Sequence, residues 1–250
     1  MPKTVAIDCF PESVSLYRTG YVIVAIDVIR ATTTAITVVA AGRRCFVAPS
    51  MKGAFQLTRK LHRPLLVGEL KGKIPHGFDM NNSPAELAVR SDILRPVVLL
   101  SSSGTGLICE AGKCEAAYLA CFRNYSFAAR CVRRHPRVAV IGAGSRGEFR
   151  QEDQMCCAWV AAELMKAGYE PQDRKTLEVV ERWSGASPRA CLKSKSVDYL
   201  AGTNQGKDLD FILAHVDDLD QAFVVRENEI IGVSSTTRND AALFKTHAKK

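Results

Sequence analysis

Nine cysteines are present, yet no two stand at CxxC spacing and no Cys/His cluster has the spacing of a zinc site. The number is odd, and most lie in apolar stretches such as Met155-Cys156-Cys157-Ala158-Trp159. That usage argues against a disulfide framework and predicts reduced thiols that serve as packing residues. The opening segment, Met1-Pro2-Lys3-Thr4-Val5, has no charged region, apolar core and cleavage site, and leads directly into a strand-like run. A secretory leader is therefore not expected. No apolar stretch approaches the roughly 20 residues of a membrane span, so the reading is a cytoplasmic protein with no membrane partner. Linkers rich in Pro, Gly and Ser are absent, as are repeats of fixed period. This predicts one domain over residues 1–250, with the polar end at 245–250 frayed.

The net charge of +8 raises the question of nucleic acid. The Lys and Arg residues are spread along the chain, with small clusters only at Arg43-Arg44, Arg133-Arg134 and Lys249-Lys250. No recognition helix, zinc finger or aromatic-and-basic pattern accompanies them, so nucleic acid is not an expected partner. An anionic small molecule fits better. A hydrophobic content of 47% over 250 residues is enough to fill a substantial core without staples.

Short β-rich runs alternate with helical patterns. Thr4 to Cys9, Tyr21 to Ile26, Cys45 to Ala48, Leu65 to Val67, Val97 to Leu100 and Val138 to Ile141 read as strands. The alternation predicts a three-layer α/β/α fold with a largely parallel or mixed sheet. Gln151 to Ala167 reads as a helix apolar on several sides, hence one buried between layers. Late in the chain, Ala222 to Val225 and Glu229 to Val233 suit a hairpin around Glu227-Asn228.

In open α/β sheets the ligand crevice lies at the carboxyl ends of the strands, and three strands here end in unusual loops. The first leads into Asp27-Val28-Ile29-Arg30-Ala31-Thr32-Thr33-Thr34, where a carboxylate, a guanidinium and three hydroxyls meet a helix start. Such a set offers metal ligation, bidentate phosphate recognition and amide donors together. Its bland alternative is capping, with Arg30 pairing only with Asp27. The second loop is Ser101-Ser102-Ser103-Gly104-Thr105-Gly106, whose small residues let amides approach an oxyanion. The third, Gly142-Ala143-Gly144-Ser145-Arg146-Gly147, matches GxGxxG. A dinucleotide is nevertheless not expected, because no strand with a ribose-binding acid follows and Glu148, Glu152 and Asp153 crowd the helix start. Carboxylates beside phosphate oxygens become partners once magnesium lies between them.

A fourth region, Gly68 to Glu86, adds polar chemistry. Ser83, Pro84 and Glu86 have the arrangement of a capping box. Glu69, Asp79 and Asn81 lack that explanation, and Glu69 lies beside the predicted crevice.

Taken in order, Asp27 to Thr34, Gly68-Glu69 with Phe78-Asp79-Met80-Asn81-Asn82-Ser83-Pro84, Ser101 to Thr105, and Gly142 through Asp153 resemble the 2-phosphosulfolactate phosphatase family. Tyr199-Leu200 and Asp208-Leu209-Asp210 extend the resemblance toward the C-terminal third. It implies a Mg²⁺-dependent phosphatase that hydrolyses (2R)-phospho-3-sulfolactate to 3-sulfolactate and phosphate, a step known from coenzyme M biosynthesis. On that basis Asp27 and Arg30 are the expected catalytic residues. Asp27, Glu69, Glu152 and Asp153 are the expected metal ligands. Thr32, Thr33, Thr34, Asn81, Ser102, Ser103, Gly104, Thr105 and Arg146 are expected to hold the substrate anions. Two rivals remain: a metal-dependent phosphatase for another small phosphorylated acid, and a noncatalytic anion-binding protein. A homodimer is the expected assembly, two-fold symmetry being the commonest.

Overall fold

A computed structural model describes residues 2–234 of the chain. The strands are β1 (Lys3–Cys9), β2 (Val22–Ile26), β3 (Cys45–Val47), β4 (Leu65–Gly68), β5 (Val97–Leu100), β6 (Ala117–Ala120), β7 (Arg137–Gly142), β8 (Tyr169–Pro171), β9 (Gln221–Arg226) and β10 (Glu229–Ser234). Between them lie α1 (Ala31–Ala40), α2 (Met51–Thr58), α3 (Pro84–Ala88), α4 (Gly104–Ala111), α5 (Tyr125–Val132), α6 (Gln151–Lys166), α7 (Arg174–Trp183), α8 (Lys195–Gly202) and α9 (Gly206–Ala214). The segment 245–250, expected to be frayed, lies outside the described residues.

All ten strands join one sheet in the order β4-β5-β3-β10-β9-β6-β2-β7-β1-β8. It is mixed and mostly parallel, with helices on both faces, as the alternation predicts. The hairpin of β9 and β10 is spliced into its middle, antiparallel to β6 on one side and to β3 on the other. The two parallel blocks it joins therefore run in opposite senses. Adjacent strands are rotated by roughly 20–25° per step, and across the five steps from β5 to β2 that rotation accumulates. The result brings α4, which leaves β5, against β2, while α1, which leaves β2, packs beneath β10, β6, β5 and β3.

Alternation within the central strands feeds a core on each face. Val22, Val24 and Ile26 of β2 join Phe122, Cys156, Cys157 and Trp159 beneath α5 and α6. Ile23 and Ala25 join Ile36 of α1 and Leu107 and Ile108 of α4 on the other face. A fully buried aliphatic side chain contributes about 1.5–3 kcal/mol, so these two cores fix where β2 and β5 end. All nine cysteines are free thiols and most are buried.

Two strands were not expected. The Ala117–Ala120 run is short and alanine-rich, with little β preference of its own. The Tyr169–Pro171 strand contains a proline, tolerated because β8 is a sheet edge.

Candidate active site

Asp27 stands where β2 gives way to α1. Its Oδ1 accepts the Ala31 N–H at 3.1 Å. Thr32 Oγ1 accepts the Asp27 N–H at 2.9 Å and donates to the Asp27 carbonyl at 2.8 Å. Of the first helix amides, the Ala31 N–H is thus held by the Asp27 side chain and the Thr32 N–H by the Asp27 carbonyl. Behind Asp27 lies Gly104, the first residue of α4. A Cβ at that position would fall 2.0 Å from Asp27 Oδ2 and 2.5 Å from the Ala31 Cβ, so the two helix starts meet only because residue 104 is glycine. Burial pushes the Asp27 carboxyl up to about 7; Glu69 and Glu152 add to the rise, while the Ala31 N–H and Arg30 oppose it.

Arg30 does not pair with Asp27. One terminal nitrogen donates to Asp208 Oδ2, and the other donates to Asn81 Oδ1 and Asn82 Oδ1, each at 3.0 Å. Asp208, from α9, also accepts the Ser83 hydroxyl and the Ala85 N–H. Arginine has five N–H donors; the two left over have no partner among the described residues and belong to a side chain that lines the cleft. Ser83 caps α3 as expected, its oxygen accepting the Glu86 N–H at 3.2 Å, while its own proton helps hold Asp208.

Further acids surround Asp27. Asp153, in the first turn of α6, accepts the Val28 N–H at 2.8 Å and the Gly144 N–H at 3.3 Å. Burial, then the neighbouring Asp27 and Glu152, push its carboxyl well above the usual range. Glu69 is fully engaged by the Ser102 and Gly72 amides, both at 2.7 Å, and the Ser102 hydroxyl at 2.9 Å. Glu152 is different: it is 1% exposed and its Oε2 is buried with no hydrogen-bond partner among the described residues.

These elements enclose a cleft of about 440 Å³. Its lining includes Asp27, Arg30, Glu69, Asp153 and the Ser101 to Ser103 loop. A second part of the wall is the charged cluster of Arg146, Glu148, Arg150 and Lys195, with Tyr199, whose hydroxyl donates to the Gly72 carbonyl. Of the residues expected to hold substrate, Ser102, Ser103 and Arg146 line this space. The threonine hydroxyls do not. Thr32 bonds Asp27, Thr33 donates to the Val28 carbonyl and Thr34 to the Asn82 carbonyl, each buried and at 2.8 Å. Thr105 likewise bonds back to Ser101, and Asn81 faces Arg30 and Gln205 rather than the cleft. In this structure these side chains build the loops. Gly104 is a spacer behind Asp27.

The family model described as 2-phosphosulpholactate phosphatase matches residues 9–228, a span that contains every cleft residue named above. The chain belongs to this family. A probable 2-phosphosulfolactate phosphatase of Pseudothermotoga lettingae is 37% identical over 154 residues, 62% of this chain and 66% of that protein, just under two thirds of its length. A 2-phosphosulfolactate phosphatase of Methanocaldococcus jannaschii is 24% identical over 239 residues, covering 92% of this chain and 96% of the relative. A probable 2-phosphosulfolactate phosphatase of Symbiobacterium thermophilum is 34% identical over 167 residues, 65% of this chain and 71% of the relative. The 2-phosphosulpholactate phosphatase family and these relatives are named for a phosphatase acting on a phosphate monoester. No helix among the described residues is long and apolar enough to cross a membrane.

The expected four-carboxylate metal cluster does not assemble: among the described residues no group of three or more His, Cys, Asp or Glu side chains is placed to hold an ion. Glu69 spends both oxygens on amides and a hydroxyl, and Asp153 spends both on amides. Asp27 Oδ2 has no hydrogen bond among the described residues, and Glu152 Oε2 is an orphan. Unbonded carboxylate oxygens suit magnesium, which takes one or two carboxylates and completes its shell with water and substrate phosphate; of the two residues, Asp27 lines the cleft and Glu152 is buried behind the lining.

Reading the sequence for loop chemistry singled out Arg146 and Glu148 but missed Arg150 and Lys195. Lys195, Ser196 and Tyr199 sit on α8, which follows no central strand. The Ser194 N-cap ahead of a lysine was its local signal.

Proposed function

We propose that this single-domain protein is a magnesium-dependent 2-phosphosulfolactate phosphatase, hydrolysing (2R)-phospho-3-sulfolactate to 3-sulfolactate and phosphate. The observation that carries the reading is one cleft whose lining joins Asp27, with its raised affinity for a proton, and Arg30, fixed by Asp208, Asn81 and Asn82, to the cations Arg146, Arg150 and Lys195. The substrate bears a phosphate, a carboxylate and a sulfonate, and such a lining offers each a donor. A cytoplasmic homodimer is the setting we propose for it.

Arg30 is the residue we assign to the phosphoryl group. Its two unused N–H donors stabilise charge that develops on the phosphoryl oxygens, and three bonds, two of them buried, hold the guanidinium so that little reorganisation accompanies the reaction. The start of α4 supplies amides beside Asp27, where an oxyanion is favoured. Asp27 Oδ2 and Glu152 Oε2 would hold magnesium, which when bound neutralises the carboxylates and phosphate oxygens against each other. Water is the preferred nucleophile: its oxygen bonds to phosphorus as the ester oxygen departs, and the leaving alkoxide recovers a proton. Asp27 is an alternative nucleophile by position, but position 29 is isoleucine, so the DxD arrangement of aspartyl-phosphate enzymes is missing.

Phosphate release is to be measured on 2-phosphosulfolactate, phospholactate and phosphoglycolate. Metal-dependent turnover that favours the sulfonated compound supports the reading; preference for another compound keeps the chemistry and replaces the substrate. Anion binding without any turnover contradicts it.

A further inference from the structure

The second part of the wall holds a carboxylate unlike the others in the cleft. Asp27, Glu69 and Asp153 are each bound by backbone amides. Among the described residues the Glu148 carboxylate is bound only by cations: one oxygen accepts from Arg150 Nη1 at 2.8 Å and the other from Lys195 Nζ. Lys195 reaches it from α8, 47 residues along the chain. A tight turn fixes Glu148 in place, with reciprocal bonds between Ser145 and Glu148 of 2.9 and 3.0 Å and positive φ of 52° and 74° at Arg146 and Gly147. These are the dihedrals of a type I′ turn, in which arginine at the first central position is conformationally disfavoured.

The cations are incompletely used. Arg150 presents one nitrogen to Glu148, while its Nε is buried and has no partner. Arg146, at the tip of the turn and lining the cleft, has no ion-pair partner among the described residues. Glu148 itself is about half exposed, so its side chain can leave for water without unpacking anything.

We propose that Glu148 is a built-in competitor, a carboxylate occupying the place of the substrate's anionic group distal to the phosphate, displaced from Lys195 and Arg150 when that group binds. The inference rests on the reading of this cleft as the phosphatase site. Lys195 and Arg150 are then specificity-determining residues, and the class they select is phosphorylated acids bearing a second strong anion. A simple phosphate monoester has nothing with which to displace Glu148.

The test compares 2-phosphosulfolactate with isopropyl phosphate, which carries neither carboxylate nor sulfonate, in Glu148→Gln and Lys195→Ala. Exposed ion pairs set the scale: Glu148→Gln is expected to lower KM for the sulfonated substrate by about two- to fivefold with kcat unchanged, and to alter KM for isopropyl phosphate by less. Lys195→Ala is expected to raise KM for the sulfonated substrate about three- to tenfold, again with kcat unchanged. An unchanged or higher KM in Glu148→Gln, equal changes on both substrates, or a fall in kcat would overturn the proposal, because a merely structural contact moves kcat or both substrates together. Calorimetric titration with 3-sulfolactate separates this from the activity itself. If no phosphate is released by the wild type, the phosphatase reading fails, yet tighter 3-sulfolactate binding by Glu148→Gln still supports displacement, and unchanged binding overturns it.

Discussion

Replacing Asp208 by asparagine probes the device that holds Arg30. Arg30 and Asp208 are 3% and 2% exposed, so neither charge has recourse to water. Removing one partner of a buried pair costs about 3–5 kcal/mol, since the other charge is left uncompensated. The isosteric amide does not escape this cost. Asp208 uses one oxygen for Arg30 and the other for the Ser83 hydroxyl and the Ala85 N–H, whereas asparagine has one oxygen and must turn its NH2 toward donors on one side. For a chain of this size each kcal/mol lowers Tm by roughly 2–4 °C, which gives a fall of about 6–20 °C. Differential scanning calorimetry measures it, with Asp210→Asn on the exposed face of the same helix as the control; that variant stays within about 0.5 kcal/mol of wild type. Phosphate release should fall further than the folded fraction does, because Arg30 loses its anchor. An Asp208→Asn protein that melts within about 1 °C of Asp210→Asn would refute the argument that this pair organises the site.

Gly104→Ala places a methyl 2.0 Å from Asp27 Oδ2 and is expected to cost about 1–3 kcal/mol and lower kcat about 100-fold, whereas Gly106→Ala, whose Cβ meets nothing nearer than 3.9 Å, leaves activity unchanged. Without metal, stability should fall as pH rises. Asp27 binds its proton more tightly folded than unfolded, so its contribution is full below 3.8 and lost as pH passes through about 7, and Asp153 shifts the same way. The melting temperature of wild type relative to Asp27→Asn, followed from pH 4 to pH 8, should decline; a flat difference would contradict the assigned burial. Magnesium should raise Tm more at pH 8 than at pH 5, as it holds the carboxylates ionised, and Glu152→Gln should remove most of that gain. Equal shifts at both pH values would count against ligation by these carboxylates.

The fold was legible where burial dictated the pattern. The continuous apolar run of β2, the run of β5 and the late hairpin all follow from period and turn chemistry. What the sequence hid was where that hairpin inserts, because strand order depends on long-range pairing that periodicity does not encode. The site followed the same division. Asp27, Arg30, Glu69 and Asp153, which line the cleft, stand out in the sequence because they end strands or begin helices. The threonines after Arg30 are ambiguous in sequence because a hydroxyl at a helix start serves a loop or a ligand equally well; in the structure they lie in the buried start of α1 and bond to backbone carbonyls. Asp208 was visible only as part of a family pattern, since its work is done 178 residues from Arg30 along the chain.

The most direct test of the account is phosphate release from 2-phosphosulfolactate with Mg²⁺ and with EDTA, for wild type, Asp27→Asn and Arg30→Ala. The account predicts turnover with magnesium, its loss in EDTA, and a fall of at least about 100-fold in each variant while the fold is retained. Turnover that survives EDTA, or that either variant leaves intact, would contradict it.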